Sequence, residues 1–365
     1  MTLHPADRLA FDKAMVTQPV WNRFNTARDA VNLDENILLH AGPAFSNPSK
    51  ITLPILNSAC VAAVFEGLAK NFDEAEAMIL ASEIILKPSQ DHDVVTPLAA
   101  VVSASMPLHT VYDAWGGQQR VYAPINAGSR PAMRLGLRSE AVLEHIRWLN
   151  TRFLDVLEDG LAEGIALVPL AVIGLAGGDD CHGRTPVAHA ALVNELKDRT
   201  LHAITDENVL QFMATSPSLF LNLWMAATKC MMKLAEGVEG SSFITAAGGN
   251  GREIGIQISG LPGQWFTVAA SAPKGKFDVD LPEDRSLGAI GDSAVVEAFG
   301  LGAMVIELSP EQKKLLSAYL PEDAAVRSSR LSVGAHPNFR NHTIKLGSTA
   351  RGAVGAGAGP GIGLG

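Results

Sequence analysis

The 365 residues are 47% hydrophobic, ample for sizeable cores, and only 18% charged. A formal net charge of -9 with a pI near 5.6 excludes a large nucleic-acid footprint, because phosphate binding draws on clustered Lys and Arg. Cys60, Cys181 and Cys230 are too few and scattered for a disulfide framework, and the opening MTLHPADRLAFDKAM lacks the apolar region of a signal peptide; a reducing cytoplasm is the expected setting.

In chain order, Ser58 to Asn71 and Asp73 to Ser82 carry apolar residues at helical spacing, and Ile84-Ile85-Leu86 before Pro88 reads as a strand. The run VVTPLAAVVSASMPLHTVYDAW mixes β-branched segments with Pro97 and Pro107, which predicts broken strands and ordered loops. Residues 1–138 form the expected N-terminal α/β domain. Ser139 caps a predicted helix through Glu158, with Val142, His145, Ile146, Leu149, Phe153 and Leu157 on one face. Helices over Leu161 to Leu175, Pro186 to Lys197, Glu207 to Ala214 and Leu219 to Ala235 make 139–240 mainly helical. The last of these contains Asn222, Lys229 and Lys233 and falls short of the roughly 20 apolar residues of a membrane span. It reads as a buried helix, with Met225, Met231 and Met232 as core side chains, and no membrane contact is expected.

From Ser241 the period changes to that of strands. SSFITAA and EIGIQIS are joined by Gly248-Gly249-Asn250-Gly251, a hairpin signal, and 241–346 is expected to be α+β. The glycine-rich tail, 347–365, has few side chains to pack and is expected to be disordered, the alternative being that its amides line a ligand pocket. The predicted class is mixed α+β, multidomain.

Chemistry concentrates in GGDDCHGRTPVAHAALVNEL. Thr185 at the N-cap and Pro186 as the first helical residue place Asp179, Asp180, His182 and Arg184 beside exposed amides and the positive end of a helix dipole, a natural site for a small anion. His182 suits general acid–base work, with Asp180 and Asp179 beside it. A divalent metal on His182 and Asp180 is the alternative, although one loop offers few ligands, and no cofactor is indicated. The blander reading is that one acid caps the helix while Arg184 pairs with the other. Cys181 reads as a packing residue.

Asp91-His92-Asp93 forms a second cluster, either facing the first or making a polar strand exit, and His92 is a secondary candidate. The amides of Gly249, Asn250 and Gly251 suit an anion or a plain hairpin. Asp292 and Ser293, before AVVEAFGLGAM, suit a ligand or an N-cap, and His40 in LLHAGP reads as a core histidine.

LLHAGP, FEGLA at 65–69, SASMP at 103–107, GDDCH at 178–182, LFLNLWMAATK at 219–229, NGREIGIQISG at 250–260, WFT at 265–267 and GDSAVVEAFGLGA at 291–303 resemble, in order, the signature blocks of the YlbE/YahG-like (AllG-like) family. The resemblance implies a subunit of a carbamoyltransferase in allantoin and purine nitrogen metabolism, oligomeric and assembled with an acyl-CoA-synthetase-like (FdrA-like) subunit. The implied reaction moves a carbamoyl group between phosphate and oxamate, with oxalurate as the carbamoylated species. Against the family pattern, Gly183 and Thr185 replace asparagines, Asp180 replaces Glu, Gly249 replaces Arg, Ala127 stands where Glu is expected, and LPILNSA replaces a Gly-Pro-rich turn. These changes point to a divergent member. Asp179, Asp180, His182, Arg184, Asn222, Lys229, Asn250, Asp292 and Ser293 keep the polar set of an anion cleft. A metal-assisted amide hydrolase, with His92 and Asp93 added to the ligands, and a non-catalytic scaffold subunit are the competing readings.

Overall fold

The computed structural model describes residues 3–116, 119–128, 131–161, 163–199, 204–274, 286–339 and 344–360. Its central element is the helix Ser218–Lys233, buried from Leu219 to Met232 apart from Leu221. A helix that is apolar around most of its circumference needs partners on every side. Strands Pro107–Asp113, Arg120–Pro124 and Ile244–Asn250 pack on it, as do helices Pro5–Val16, Pro186–Arg199 and Ala294–Phe299. The buried Met225, Met231 and Met232 are core residues. The helix's buried cation, Lys229, donates from Nζ to the Thr245 carbonyl at 2.8 Å and pairs with Glu236 at 3.1 Å.

The fold is α+β. One antiparallel sheet orders Arg120–Pro124, Pro107–Asp113, Pro19–Thr26 and Ile165–Ala166. A second orders Leu261–Ala269, Glu253–Ile258, Ile244–Asn250 and Ile290–Gly291, also antiparallel. In a third, Ile37–His40 pairs parallel with Ile85–Pro88 and antiparallel with Val101–Val102. Pro97 and Pro107 bound the short, interrupted strands that the sequence predicts there. The helix predicted from Ser139 forms, with Ser139 Oγ accepting from the Val142 amide at 3.4 Å, whereas the one predicted over Leu161 to Leu175 begins only at Leu167, after strand Ile165–Ala166. The long helix from Ser139 carries one wide turn over Leu149–Phe153 before continuing to Glu158. A buried apolar cluster runs from Ala10 to Leu346. Among the described residues no helix is long and apolar enough to cross a membrane. In the glycine-rich tail, Thr349 caps a helix over Ala350–Ala356, and residues 361–365 lie outside the described residues.

The second and third sheets meet at a glycine contact. Gly42 follows strand Ile37–His40 with φ +76°, and a Cβ there would lie 2.4 Å from the Gly249 carbonyl carbon and 2.6 Å from the Asn250 nitrogen. His40, fully buried beside it, is a core histidine whose pKa burial lowers to about 4. Gly42→Ala must fit both a left-handed backbone and a backbone clash, so a loss of at least about 2 kcal/mol is expected. Urea unfolding followed by tryptophan fluorescence measures it, and an unchanged midpoint would contradict this account of the contact.

Candidate active site

The loop between helices Leu167–Ala176 and Pro186–Arg199 is folded around its own two acids. Helix Pro186–Arg199 starts at Pro186 as predicted, but its cap is Asp179, whose Oδ2 accepts from the Val187 and Ala188 amides at 2.8 Å each. Thr185 occupies the N-cap position yet turns its hydroxyl away, donating to the Pro217 carbonyl at 3.1 Å. Asp180 Oδ1 accepts from the amides of His182 at 2.8 Å and Arg184 at 2.9 Å, which wraps the loop into a tight turn. Between the acids, Cys181 takes φ +60° and is fully buried. Burial and the two neighbouring carboxylates push its thiol well above the ordinary range, so it stays protonated and is no nucleophile.

This turn presents His182 to a distant acid inside the GDSAVVEAFGLGA block. His182 Nδ1 lies 2.7 Å from Glu297 Oε1, and both side chains are buried. Glu297 sits on helix Ala294–Phe299 and its Oε1 also accepts from the Ala303 amide at 3.1 Å. Gly302 closes over it, with φ +62°, and a Cβ there would come within 2.3 Å of Glu297 Oε1. The Gly302 amide in turn donates to the Asp180 carbonyl at 2.8 Å. Burial alone would lower the His182 pKa, but the hydrogen bond and charge of Glu297, reinforced by Asp180, raise it above the ordinary histidine value. With Nδ1 held by Glu297, Nε2 is the ring atom left for proton exchange.

His182 lines a cavity of about 590 Å³ together with Arg134, Arg184, Asn222 and Ser293. The backbone of Gly183 and the start of helix Pro186–Arg199 form part of its wall. Arg184 forms no salt bridge among the described residues, so it does not pair with an acid of its own loop. Arg134 is half-buried and is held by the Gly128 carbonyl through Nε at 3.2 Å and Nη2 at 2.8 Å. Desolvation lowers its pKa, although a guanidinium remains charged at any ordinary pH. Two guanidinium groups at the mouth of a helix N-terminus make the cavity suited to a small dianion or a pair of anions.

The structure thus brings together His182, Asp180, Asp179, Arg184, Asn222 and Ser293 and places the other candidates elsewhere. Asp292 is fully buried and turns inward to Gly42, Ser89, Gln90 and Thr96. Asn250 is spent on its own turn, accepting from Arg252 and Glu253 amides and donating to the Pro43 carbonyl, each at 2.9 Å. Gly249 packs on Gly42, and the Gly251 amide donates to the Ala289 carbonyl at 3.1 Å. Lys229 is committed to Thr245 and Glu236. His92 lies outside the cavity lining, and Asp93 beside it pairs with Lys233 at 2.5 Å. Among the described residues there is no group of three or more His, Cys, Asp or Glu side chains that could hold a metal. Neither Glu297 nor Arg134 is singled out in the sequence; the signals for Glu297 are its place inside the GDSAVVEAFGLGA block and its position as an acid enclosed by apolar residues in AVVEAF.

A mixed α+β fold with a buried histidine–glutamate pair beside a guanidinium-lined cavity is the class of protein that the coordinates define. The family described as oxamate carbamoyltransferase subunit AllG matches residues 84–293. "Uncharacterized protein YahG" of Escherichia coli (strain K12) is 31% identical over 343 residues, covering 91% of this chain and 72% of its own length. The oxamate carbamoyltransferase subunit AllG of the same strain is 30% identical over 336 residues, covering 90% of this chain and 80% of its own length. A crystal structure of a conserved protein of unknown function from Enterococcus faecalis V583 superposes with a TM-score of 0.87 at 25% identity, over 97% of this chain and 88% of that one. The chain belongs to the AllG/YahG-like family, as a divergent member.

Burial, only partly offset by the two capping amides, pushes Asp179 up to about 6. Between its ordinary value of 3.8 and about 6 the folded protein therefore keeps a proton that the unfolded chain has released. On this account the group makes the fold progressively less stable as pH rises through that window, with no further change above it. Asp179→Asn keeps an acceptor for the amides and removes the titration. Thermal melts at pH 4, 5, 6 and 7 should give a difference between variant and wild type that grows in the variant's favour up to about pH 6; a constant difference would show that folding does not shift the titration of Asp179.

Proposed function

We propose that this chain is the subunit of a carbamoyltransferase that carries the acid–base chemistry, acting on a small carboxylate that bears an amide, with oxamate and oxalurate as the leading pair. The observation that carries the reading is the buried His182–Glu297 pair on a cavity that also holds Arg134 and Arg184. Its family membership, and the name of a relative that is an oxamate carbamoyltransferase subunit, support the same assignment.

In the synthetic direction the oxamate amide nitrogen attacks the carbamoyl carbon of carbamoyl phosphate. The bond from that carbon to the phosphate oxygen breaks, phosphate leaves with the electron pair, and the proton of the attacking nitrogen passes to His182 Nε2. In the reverse direction a phosphate oxygen attacks the carbamoyl carbon of oxalurate, the carbon–nitrogen bond breaks, and His182 Nε2 returns the proton to the departing nitrogen. Arg134 and Arg184 hold the carboxylate and phosphate charges, while the first amides of helix Pro186–Arg199 are already taken by Asp179. Glu297 fixes the imidazole's orientation and stabilises its charged form. A further subunit, resembling an acyl-CoA synthetase subunit, completes the enzyme.

Because His182 is raised, its proton-donating form persists to higher pH than an ordinary histidine's. Phosphorolysis of oxalurate should fall as pH rises through the His182 pKa, while synthesis from oxamate rises through the same value. Glu297→Gln removes the carboxylate that raises His182 and should move both limbs to lower pH in kcat/KM profiles of the assembled enzyme; unmoved limbs would remove Glu297 from this role. His182→Ala should lower kcat by about 10²- to 10⁴-fold, the usual worth of one general acid–base group, and full activity in this variant would favour a scaffold subunit.

A further inference from the structure

Asn222 carries a polarity that the proposed chemistry has not used. It lies on the first turn and a half of helix Ser218–Lys233, is fully buried, and lines the cavity between Leu221 and Ser218 on its own helix and Arg184 and Thr185 opposite. Its Nδ2 donates to the Pro124 carbonyl at 3.3 Å. A carbonyl oxygen can only accept, so this bond sets the amide's orientation and leaves Oδ1 as the other end. Oδ1 is buried and meets no donor among the described residues. A buried acceptor left unpaired costs about 1–3 kcal/mol, and one on a cavity-lining residue can recover it from a ligand's donor.

The charged groups of the cavity have the opposite sense. Arg134 and Arg184 bring only donors and favour negative charge, whereas the hydroxyls of Ser218 and Ser293 can turn to donate or accept. An acceptor among donors is mismatched to a plain carboxylate or phosphate, whose oxygens would face Oδ1 with no hydrogen between them. It is matched to an anion that also carries an N–H. We infer that Asn222 is a specificity residue: its Oδ1 accepts a hydrogen bond from the NH2 of an amide- or carbamoyl-bearing anion, and thereby selects that class over anions of the same shape that lack the N–H. The inference rests on the cavity assignment made above but not on turnover.

Two isosteric pairs test it on the full chain by titration calorimetry, because a methyl group replaces the NH2 in each: oxamate against pyruvate, and carbamoyl phosphate against acetyl phosphate. Wild-type protein should bind the NH2 member at least about tenfold more tightly in at least one pair, in line with sites that hydrogen-bond a substrate N–H. Asn222→Leu, similar in volume and without an acceptor, should abolish that preference while holding the methyl member within about threefold of its wild-type affinity, which also reports that the variant is folded. Should Asn222→Leu fail to fold, Asn222→Ala, which also lacks the acceptor, should lose the preference in the same way. A preference that survives the loss of the acceptor overturns the inference alone. No binding of any of the four overturns both it and the carbamoyl reading. A preference that disappears with Asn222→Leu in an enzyme that never turns over supports the inference and removes the transferase.

Discussion

The Asp292 carboxylate is the junction on which the remainder of the site is built. It is fully buried, and its two oxygens collect the Gly42 amide at 3.0 Å, Gln90 Nε2 at 2.7 Å, the Thr96 amide at 2.9 Å, the Thr96 hydroxyl at 3.1 Å and the Ser89 hydroxyl. Three of those donors are N–H groups that cannot reverse roles, so the carboxylate is held by bonds that reward its charge even as burial pushes its pKa up. The groups it ties come from three separate stretches of chain. Each lacks enough regular structure to fix itself: the turn after strand Ile37–His40, the single helical turn Ser89–His92, and the irregular run before Val101.

That junction reaches the chemistry through its neighbours. Pro97 and Leu98, directly after Thr96, line the cavity, and so does Ser293, directly after Asp292. The next residues form helix Ala294–Phe299, which delivers Glu297 to His182. The opposite wall comes from the loop that Asp179 and Asp180 fold around themselves. Two buried acids therefore shape one wall, a third anchors the other, and the fourth, Glu297, spans the gap between them by its bond to the histidine. The arrangement explains why an acidic protein can carry an anion cavity: each of these carboxylates is turned toward backbone amides or buried side-chain donors, while the guanidinium groups and one imidazole edge are turned toward the space between.

Local signals made the elements legible in the sequence. Helical spacing from Ser139, the turn residues at Asn250-Gly251, and the Pro186 start are statements about a few adjacent residues, and the structure agrees with them. The Asn250-Gly251 turn works differently from a simple positive-φ pair, since only Gly251 takes positive φ, at +86°, and Asn250 contributes side-chain bonds instead. The acid–histidine loop was legible as a cluster for the same reason of adjacency. Which of its acids would cap the helix was not, because the geometry that makes Asp179 the cap comes from a chain reversal after Gly178 that adjacency cannot express.

Long-range partners were beyond reach for a related reason. His182 and Glu297 are 115 residues apart, and the bonds of Asp292 to Gln90 and Gly42 cross more than 200. A glutamate inside AVVEAF looks like a misplaced surface residue until the histidine it meets is known, and Asp292 looks like a routine helix cap until its five donors are counted. Both follow one rule: an ionisable group in an apolar setting is tolerated only when a distant element supplies its partners. Asn222 extends that rule one step further. Its Oδ1 belongs to a cavity-lining residue and finds no partner among the described residues, and on the proposal above the N–H of a ligand supplies that partner.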